Sequence, residues 1–268
     1  MPSGKRSRAQ RHAPPPPPVS TRRRQASPRV LFVGGALAAV AVVVVVALLV
    51  THGNSSHTAS DVPTVGSLTN SLPGAAETHE LFKGVAQVGL TLGSAHAPAT
   101  MVEYVDMQCP YCQQFETQVM PDVVRKYVRP GKLRIELRPW AFLGPDSFRG
   151  QAAVLAASQQ KKAFDLAALL YDNQGIENTG WLDDNMVTAA AKSVPGLLVR
   201  RLLTDRSSSP VKARSQTIDT LAREDHVNST PTILVGPTGA PGKVVNLQAP
   251  TDEATLARAI RSALVSQA

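Results

Sequence analysis

The sequence predicts an α/β domain preceded by one transmembrane helix, on three observations. The first is a strand–helix–strand pattern that carries the chain's only two cysteines, Cys109 and Cys112, at the start of its helix. The second is a helical stretch over about 147–225, which separates that unit from a closing strand–turn–strand–helix. The third is residues 30–50, an uninterrupted run of 21 uncharged residues rich in Val, Ala and Leu.

The chain opens on a basic tail. Residues 1–29 hold eight of the 28 Lys and Arg residues and no acid, which leaves 20 basic against 20 acidic residues for the remainder. The formal charge of +8 therefore belongs to the tail, and this argues against a nucleic-acid partner for the folded part. Five prolines, Pro14 to Pro18, suit a polyproline II spacer or a disordered tail. As a helix, residues 30–50 would be about 31 Å long, enough to cross the hydrocarbon core of a bilayer. Positive charge before the run and none close behind it places the N-terminus in the cytoplasm and the rest outside, in the cell envelope. A cleaved signal peptide is the alternative. The run exceeds the roughly 7–15 residues of a signal core, however, and no Ala-x-Ala site follows closely. Residues 51–80, rich in Ser, Thr, Gly and Asn, read as a flexible linker, and the folded domain as 81–268.

Within that domain residues 85–92 have strand character, and Gly93 to Pro98 form a turn into a strand over 100–106. A helix over 113–128 follows from the spacing of Phe115, Val119, Val123, Val124 and Tyr127, and Pro130-Gly131 ends it. In residues 132–138 Leu133, Ile135 and Leu137 alternate with charged residues, the mark of a strand with one buried face. A connection of this length makes the two strands parallel. Helical faces then recur through Phe148, Ala152 and Leu155, through Phe164, Ala167 and Leu170, through Leu182, Met186 and Ala189, and through Val211, Ile218 and Leu221. Residues 230–236 and 243–247 are strands about a turn at 237–242. Residues 251–265 close the chain as a helix, which Asp252 and Glu253 favour at its start.

Cysteines outside the cytosol usually form structural disulfides. A two-residue gap is a poor staple, because so small a loop constrains little unfolded-chain entropy. At the first turn of a helix, free N–H groups and the helix dipole stabilise a thiolate, so the pair reads as redox-active. A half zinc site would need two more ligands, and the domain offers only His96 and His226, not in paired spacing. Glu103 sits in an apolar strand, where a buried carboxylate needs a partner or a task; a strand-end charge turned to solvent is the alternative. Pro231 at the start of a strand is ordinary by position alone.

Glu103-Tyr-Val-Asp-Met-Gln-Cys-Pro-Tyr-Cys112, the helices that follow, and Ser229-Thr-Pro-Thr-Ile-Leu-Val235 together resemble the bacterial DsbA-like thiol–disulfide oxidoreductases, which are thioredoxin folds with a helical insertion. The resemblance spans about 85–266. It implies that Cys109 is the nucleophile, Cys112 the resolving thiol, and Pro110 and Tyr111 the residues that tune them. It further implies a cis Pro231 against the Cys109 sulfur, a Thr230 that pairs with substrate backbone by strand addition, and a Glu103 that helps deprotonate Cys112. No cofactor is implied beyond the redox-active disulfide. The family often has His in place of Tyr111 and Gly in place of Ser229; the first departure removes a positive contribution beside the pair. Cys-Pro-Tyr-Cys also resembles glutaredoxins, against which the insertion and the anchor argue. The implied activity is oxidation of cysteines in exported proteins, with a DsbB-like or vitamin K epoxide reductase-like membrane protein as reoxidant. The alternatives are a reductase or isomerase, and a non-catalytic thioredoxin-like chaperone.

Overall fold

Six strands, β1 (Gln87–Val88), β2 (Thr91–Leu92), β3 (Ala99–Val105), β4 (Leu133–Pro139), β5 (Thr232–Pro237) and β6 (Lys243–Val244), form one sheet in the order β1–β2–β4–β3–β5–β6. The structure is a computed structural model that describes residues 62–266. At its centre β3 and β4 run parallel, with Glu103 opposite Leu137, while β5 lies antiparallel on the other side of β3, with Glu103 opposite Ile233. Alternation decides the faces of β4: Leu133, Ile135 and Leu137 are buried, and Arg134, Glu136 and Arg138 turn the other way. Strand β3 has neighbours on both edges and is buried nearly throughout, which is why an apolar run suits it.

The helices are α1 (Ala75–Phe82), α2 (Pro110–Gln118), α3 (Met120–Val123), α4 (Pro145–Ser158), α5 (Ala163–Asp172), α6 (Asp184–Lys192), α7 (Val199–Asp205), α8 (Ser209–Glu224) and α9 (Glu253–Val265). Helices α2 and α9 cover one face of the sheet, where Met101, Val105, Phe115, Leu256 and Ile260 share the main core. Against the other face lies the end of α8, with Ala222 beside Tyr104 and Leu234. Helices α4 to α8 form the insertion between β4 and β5, and α5 packs on α2. Asp183 caps α6 by accepting from the Met186 N–H at 2.8 Å, and Asp252 caps α9 through the Thr255 N–H at 3.1 Å.

Four expectations are corrected. Residues 85–92 are a tight hairpin of β1 and β2 rather than one strand, since Gly89 takes a left-handed φ of 58° at its turn. The helix expected over 113–128 is broken: Pro121 has no N–H to continue the ladder, so α2 ends, α3 begins, and a π turn (Val124–Val128) finishes the segment. The strand expected at 243–247 pairs only over Lys243–Val244. Most consequentially, residues 62–80 are folded rather than linker. Val65 bridges to Leu198, Ser67 N–H donates to Lys192 O at 2.8 Å, and Thr78 Oγ1 donates to Asp172 Oδ2 at 3.1 Å. A side chain at Gly66 would collide with the carbonyls of Val194 and Ala191, so only glycine fits there. No helix among the described residues is long and apolar enough to cross a membrane, and the basic tail, the run at 30–50 and residues 51–61 lie outside the described residues.

Candidate active site

Strand β3 delivers the chain into a loop whose shape is fixed by buried polar groups. Asp106 Oδ1 accepts from the Gln108 N–H at 2.9 Å, and its Oδ2 accepts from the N–H groups of Phe142 and Leu143 at 3.0 and 3.2 Å. This ties the loop after β3 to the loop after β4. The insertion grips the same loop. Tyr171 donates its hydroxyl to Asp106 O at 3.1 Å, Gln174 Nε2 donates to Met107 O at 3.0 Å, and Gln108 Nε2 donates to Ser147 Oγ at 2.8 Å. None of Asp106, Gln108, Tyr171 or Gln174 is foreseen as a site residue from sequence. The signal that could have found Asp106 and Gln108 is polar residues held inside an otherwise apolar run.

Cys109 stands at the N-cap of α2 and Pro110 at its first position, where a missing N–H costs nothing. Tyr111 is 58 % exposed; Cys109 keeps 4 % of its surface and Cys112 none. Both thiols are unbridged. The Cys109 thiol is pulled down to about 6, first because Cys112 donates its S–H to the sulfur, and further by the Thr230 hydroxyl and the N–H groups of Cys112 and Tyr111; burial opposes them. Burial pushes the Cys112 thiol well up, and its role as donor to Cys109 adds to this. One sulfur is thus made a thiolate near neutral pH at the other's expense, as thiol exchange requires of its attacking group.

The loop before β5 closes over this pair. The Thr230–Pro231 peptide is cis, and Thr230 O accepts the Cys109 S–H at 3.3 Å. The Thr230 hydroxyl is buried with no partner while Cys109 is a thiol, which leaves it free to donate once the thiolate forms. A groove of about 340 Å³ runs past Tyr111, Thr230, Pro231 and Asn246. Glu103 lies fully buried on β3, and its carboxyl is held well above the usual range by burial and then by the charge of Glu116, a residue absent from the sequence-derived site. Burial lifts Glu116 in turn to about 8. The structure thus brings Cys109, Cys112, Pro110, Tyr111, Thr230 and Pro231 together at the N-terminal end of α2, with Tyr111 exposed and both thiols buried, and Glu103 in the core.

A parallel-centred sheet with a dithiol at a helix N-terminus, facing a cis-proline loop, defines a thiol–disulfide oxidoreductase. The thioredoxin family model matches residues 86–260, and the chain belongs to that family. Among relatives, the probable disulfide bond formation protein D of Bacillus cereus is 27 % identical over 150 residues, which covers 54 % of this chain and 68 % of that protein. Disulfide bond formation protein D of Bacillus subtilis is 24 % identical over 149 residues, covering 54 % and 66 %. Among solved structures, oxidised BdbD from Bacillus subtilis superposes with a TM-score of 0.59 at 20 % identity, over 68 % of this chain and 97 % of its own. A thioredoxin-like oxidoreductase from Silicibacter pomeroyi gives 0.52 at 26 % identity, over 71 % and 98 %.

Proposed function

We propose that this chain is a membrane-tethered oxidoreductase of the cell envelope that oxidises cysteine pairs in exported proteins through Cys109 and Cys112. The observation that carries the reading is the split between the two thiols: Cys109, at the helix N-cap with 4 % of its surface exposed, down to about 6, and Cys112 raised and fully enclosed. A low nucleophile pKa stabilises the reduced form and so makes the disulfide the better oxidant. In the proposed reaction a substrate thiolate attacks Cys109 Sγ, the Cys109–Cys112 bond breaks, and Cys112 leaves. A second substrate thiolate then attacks the substrate sulfur of the mixed disulfide and releases Cys109 as a thiolate. The substrate gains a disulfide and the protein holds two thiols, to be reoxidised by a DsbB-like or vitamin K epoxide reductase-like membrane partner. The groove beside Thr230 and Pro231 suits an extended peptide that pairs with the loop's backbone. The names of the relatives, disulfide bond formation protein D, support the same direction. Residues 30–50 supply the tether in this reading, with residues 1–29 on the cytoplasmic side.

Tyr111 favours a second reading. With no charge at that position, Cys109 lacks one stabiliser of its thiolate, and a reductase or isomerase that works from the dithiol form becomes the competing direction. The reduction potential of the full chain in glutathione buffers separates the two. A value near about −120 mV, as in DsbA, supports the oxidase, and one near about −270 mV, as in thioredoxin, overturns it.

A further inference from the structure

We propose that Gln174, in the helical insertion, is a positioning residue that holds the Cys109 backbone so that the first N–H groups of α2 point at the Cys109 sulfur. The inference deepens the exchange chemistry proposed above and rests on Cys109 as its attacking thiol. Of the insertion side chains that grip the loop between β3 and α2, Tyr171 ends on Asp106 O, and Ser147 and Asn178 end on the Gln108 side chain. Gln174 alone among them reaches Cys109 itself: its Nε2 donates to Met107 O at 3.0 Å and to Cys109 O at 3.4 Å. Two acceptors on one nitrogen fix the orientation of the amide, because Oε1 in its place would face two carbonyl oxygens. The residue is itself held. Gln174 N–H donates to Tyr171 O at 3.2 Å, Gln113 Nε2 on α2 donates to the same oxygen at 3.0 Å, and a side chain at Gly175 would run into Trp181.

What this amide controls follows from the geometry of a helix start. Cys109 is the N-cap of α2, extended at φ −68° and ψ 120°, and its carbonyl accepts the first helical bond from Gln113 N–H at 3.0 Å. A carbonyl oxygen has two lone pairs, so Gln113 and Gln174 share it. Pro110 brings a locked φ and no N–H. The first N–H groups that meet the sulfur are therefore those of Tyr111 and Cys112, and ψ of Cys109 is the soft torsion that sets their bearing on it. An amide that pins the oxygens of Met107 and Cys109 holds the chain on both sides of the carbon that bears the sulfur, and so holds that torsion.

The ionisable groups gathered at this junction include Cys112, Asp106, Glu116 and Tyr171. Gln174 is neutral. Replacing it with another neutral side chain leaves every charge in place, so a change at Cys109 reports the alignment of N–H groups and not a lost counter-charge.

The test is the titration of Cys109 in the reduced full chain, followed by thiolate absorbance, together with the equilibrium of its disulfide against glutathione. Gln174→Met keeps the length of the side chain and removes both donors. The Cys109 midpoint then rises from about 6 by about half to one unit, and the disulfide becomes a weaker oxidant by about three- to tenfold, equivalent to about 15–30 mV. Tyr171→Phe removes a bond to the same loop that stops short of Cys109; it costs stability and leaves the midpoint within about 0.2 unit of wild type. An unmoved midpoint in Gln174→Met overturns the role. An equal rise in both variants overturns it too, because it marks a general loosening of the loop. A wild type that forms no glutathione adduct at Cys109 overturns the proposed exchange chemistry, a separate result, and the titration still decides on Gln174. Should Gln174→Met not fold, the side-chain amide of Gln174 in wild type decides by nuclear magnetic resonance. Its signals follow the Cys109 titration if the amide holds that carbonyl, and signals unmoved through the midpoint overturn the assignment.

Discussion

The two faces of strand β3 bury ionisable side chains one residue apart, and they treat them in opposite ways. Tyr104, on the face toward α8, is fully buried, yet its hydroxyl donates to Asp225 Oδ2 at 2.6 Å and accepts from Arg138 Nη1 at 2.5 Å. Arg138 Nη1 also reaches Asp225 at 2.7 Å, so every polar group in that cluster has a partner and a counter-charge. Glu103, on the face toward α2, has neither. A satisfied network fixes the seat of the insertion on the sheet. A buried acid pair with no cation beside it costs stability wherever it ionises.

Substitutions on the two faces are therefore expected to separate chemistry from stability. The largest effect is at the dithiol: Cys109→Ser abolishes exchange with oxidised glutathione, whereas Cys112→Ser accumulates the mixed disulfide, both read by mass spectrometry after acid quench. Next is the pH dependence of stability on the α2 face. Both carboxyls have folded pKa values above the unfolded value of 4.5, so the unfolded state sheds protons first and stability falls as pH rises from 4.5 toward about 8. The slope is at most about 1.4 kcal/mol per pH unit for each group. The depressed Cys109 thiol acts with the opposite sign: its stabilisation is present above 9 and lost as pH falls through about 6. The difference between wild type and the Glu103→Gln, Glu116→Gln double variant isolates the acids, and chemical denaturation at several pH values should show a flatter profile in the double variant.

On the α8 face, Asp225→Ala leaves Tyr104 and Arg138 without their shared acceptor and should cost about 1–3 kcal/mol in denaturant unfolding. The Cys109 titration should not move. A matched loss of thiolate would mean that the faces are coupled and that the comparison fails. Smallest is Thr230→Val, which removes a hydroxyl donor and should raise the Cys109 midpoint from about 6 by up to about one unit, followed by thiolate absorbance.

Much of this arrangement was legible because it depends on short-range pattern. Alternation in residues 133–137, proline and glycine at 130–131, and two cysteines at a strand–helix junction each point to one local structure, and these agree with one another. The failures share a different cause. Residues 62–80 look like linker because their order comes from backbone bonds to Lys192, Leu197 and Leu198, which composition does not report. The break at Pro121 was visible, but apolar spacing continued across it. Glu116 escaped notice because a glutamate on a helix is usually solvated; only its spacing of four from Cys112 hinted at an inward face, and the burial of its Oε1 is a tertiary fact.

The early segment has a mechanical consequence. Chain upstream of Val62 enters the fold through Gly66 N–H on Leu197 O and Ser67 N–H on Lys192 O, both on the helical insertion. A pull from that direction would load these bonds and the Leu72 N–H to Ser193 Oγ contact before it reached α1 and the sheet. Force applied from the N-terminal side is therefore borne first by the insertion rather than by β3, and it would reach the dithiol through the bonds of Tyr171, Gln174 and Ser147 to the loop before Cys109.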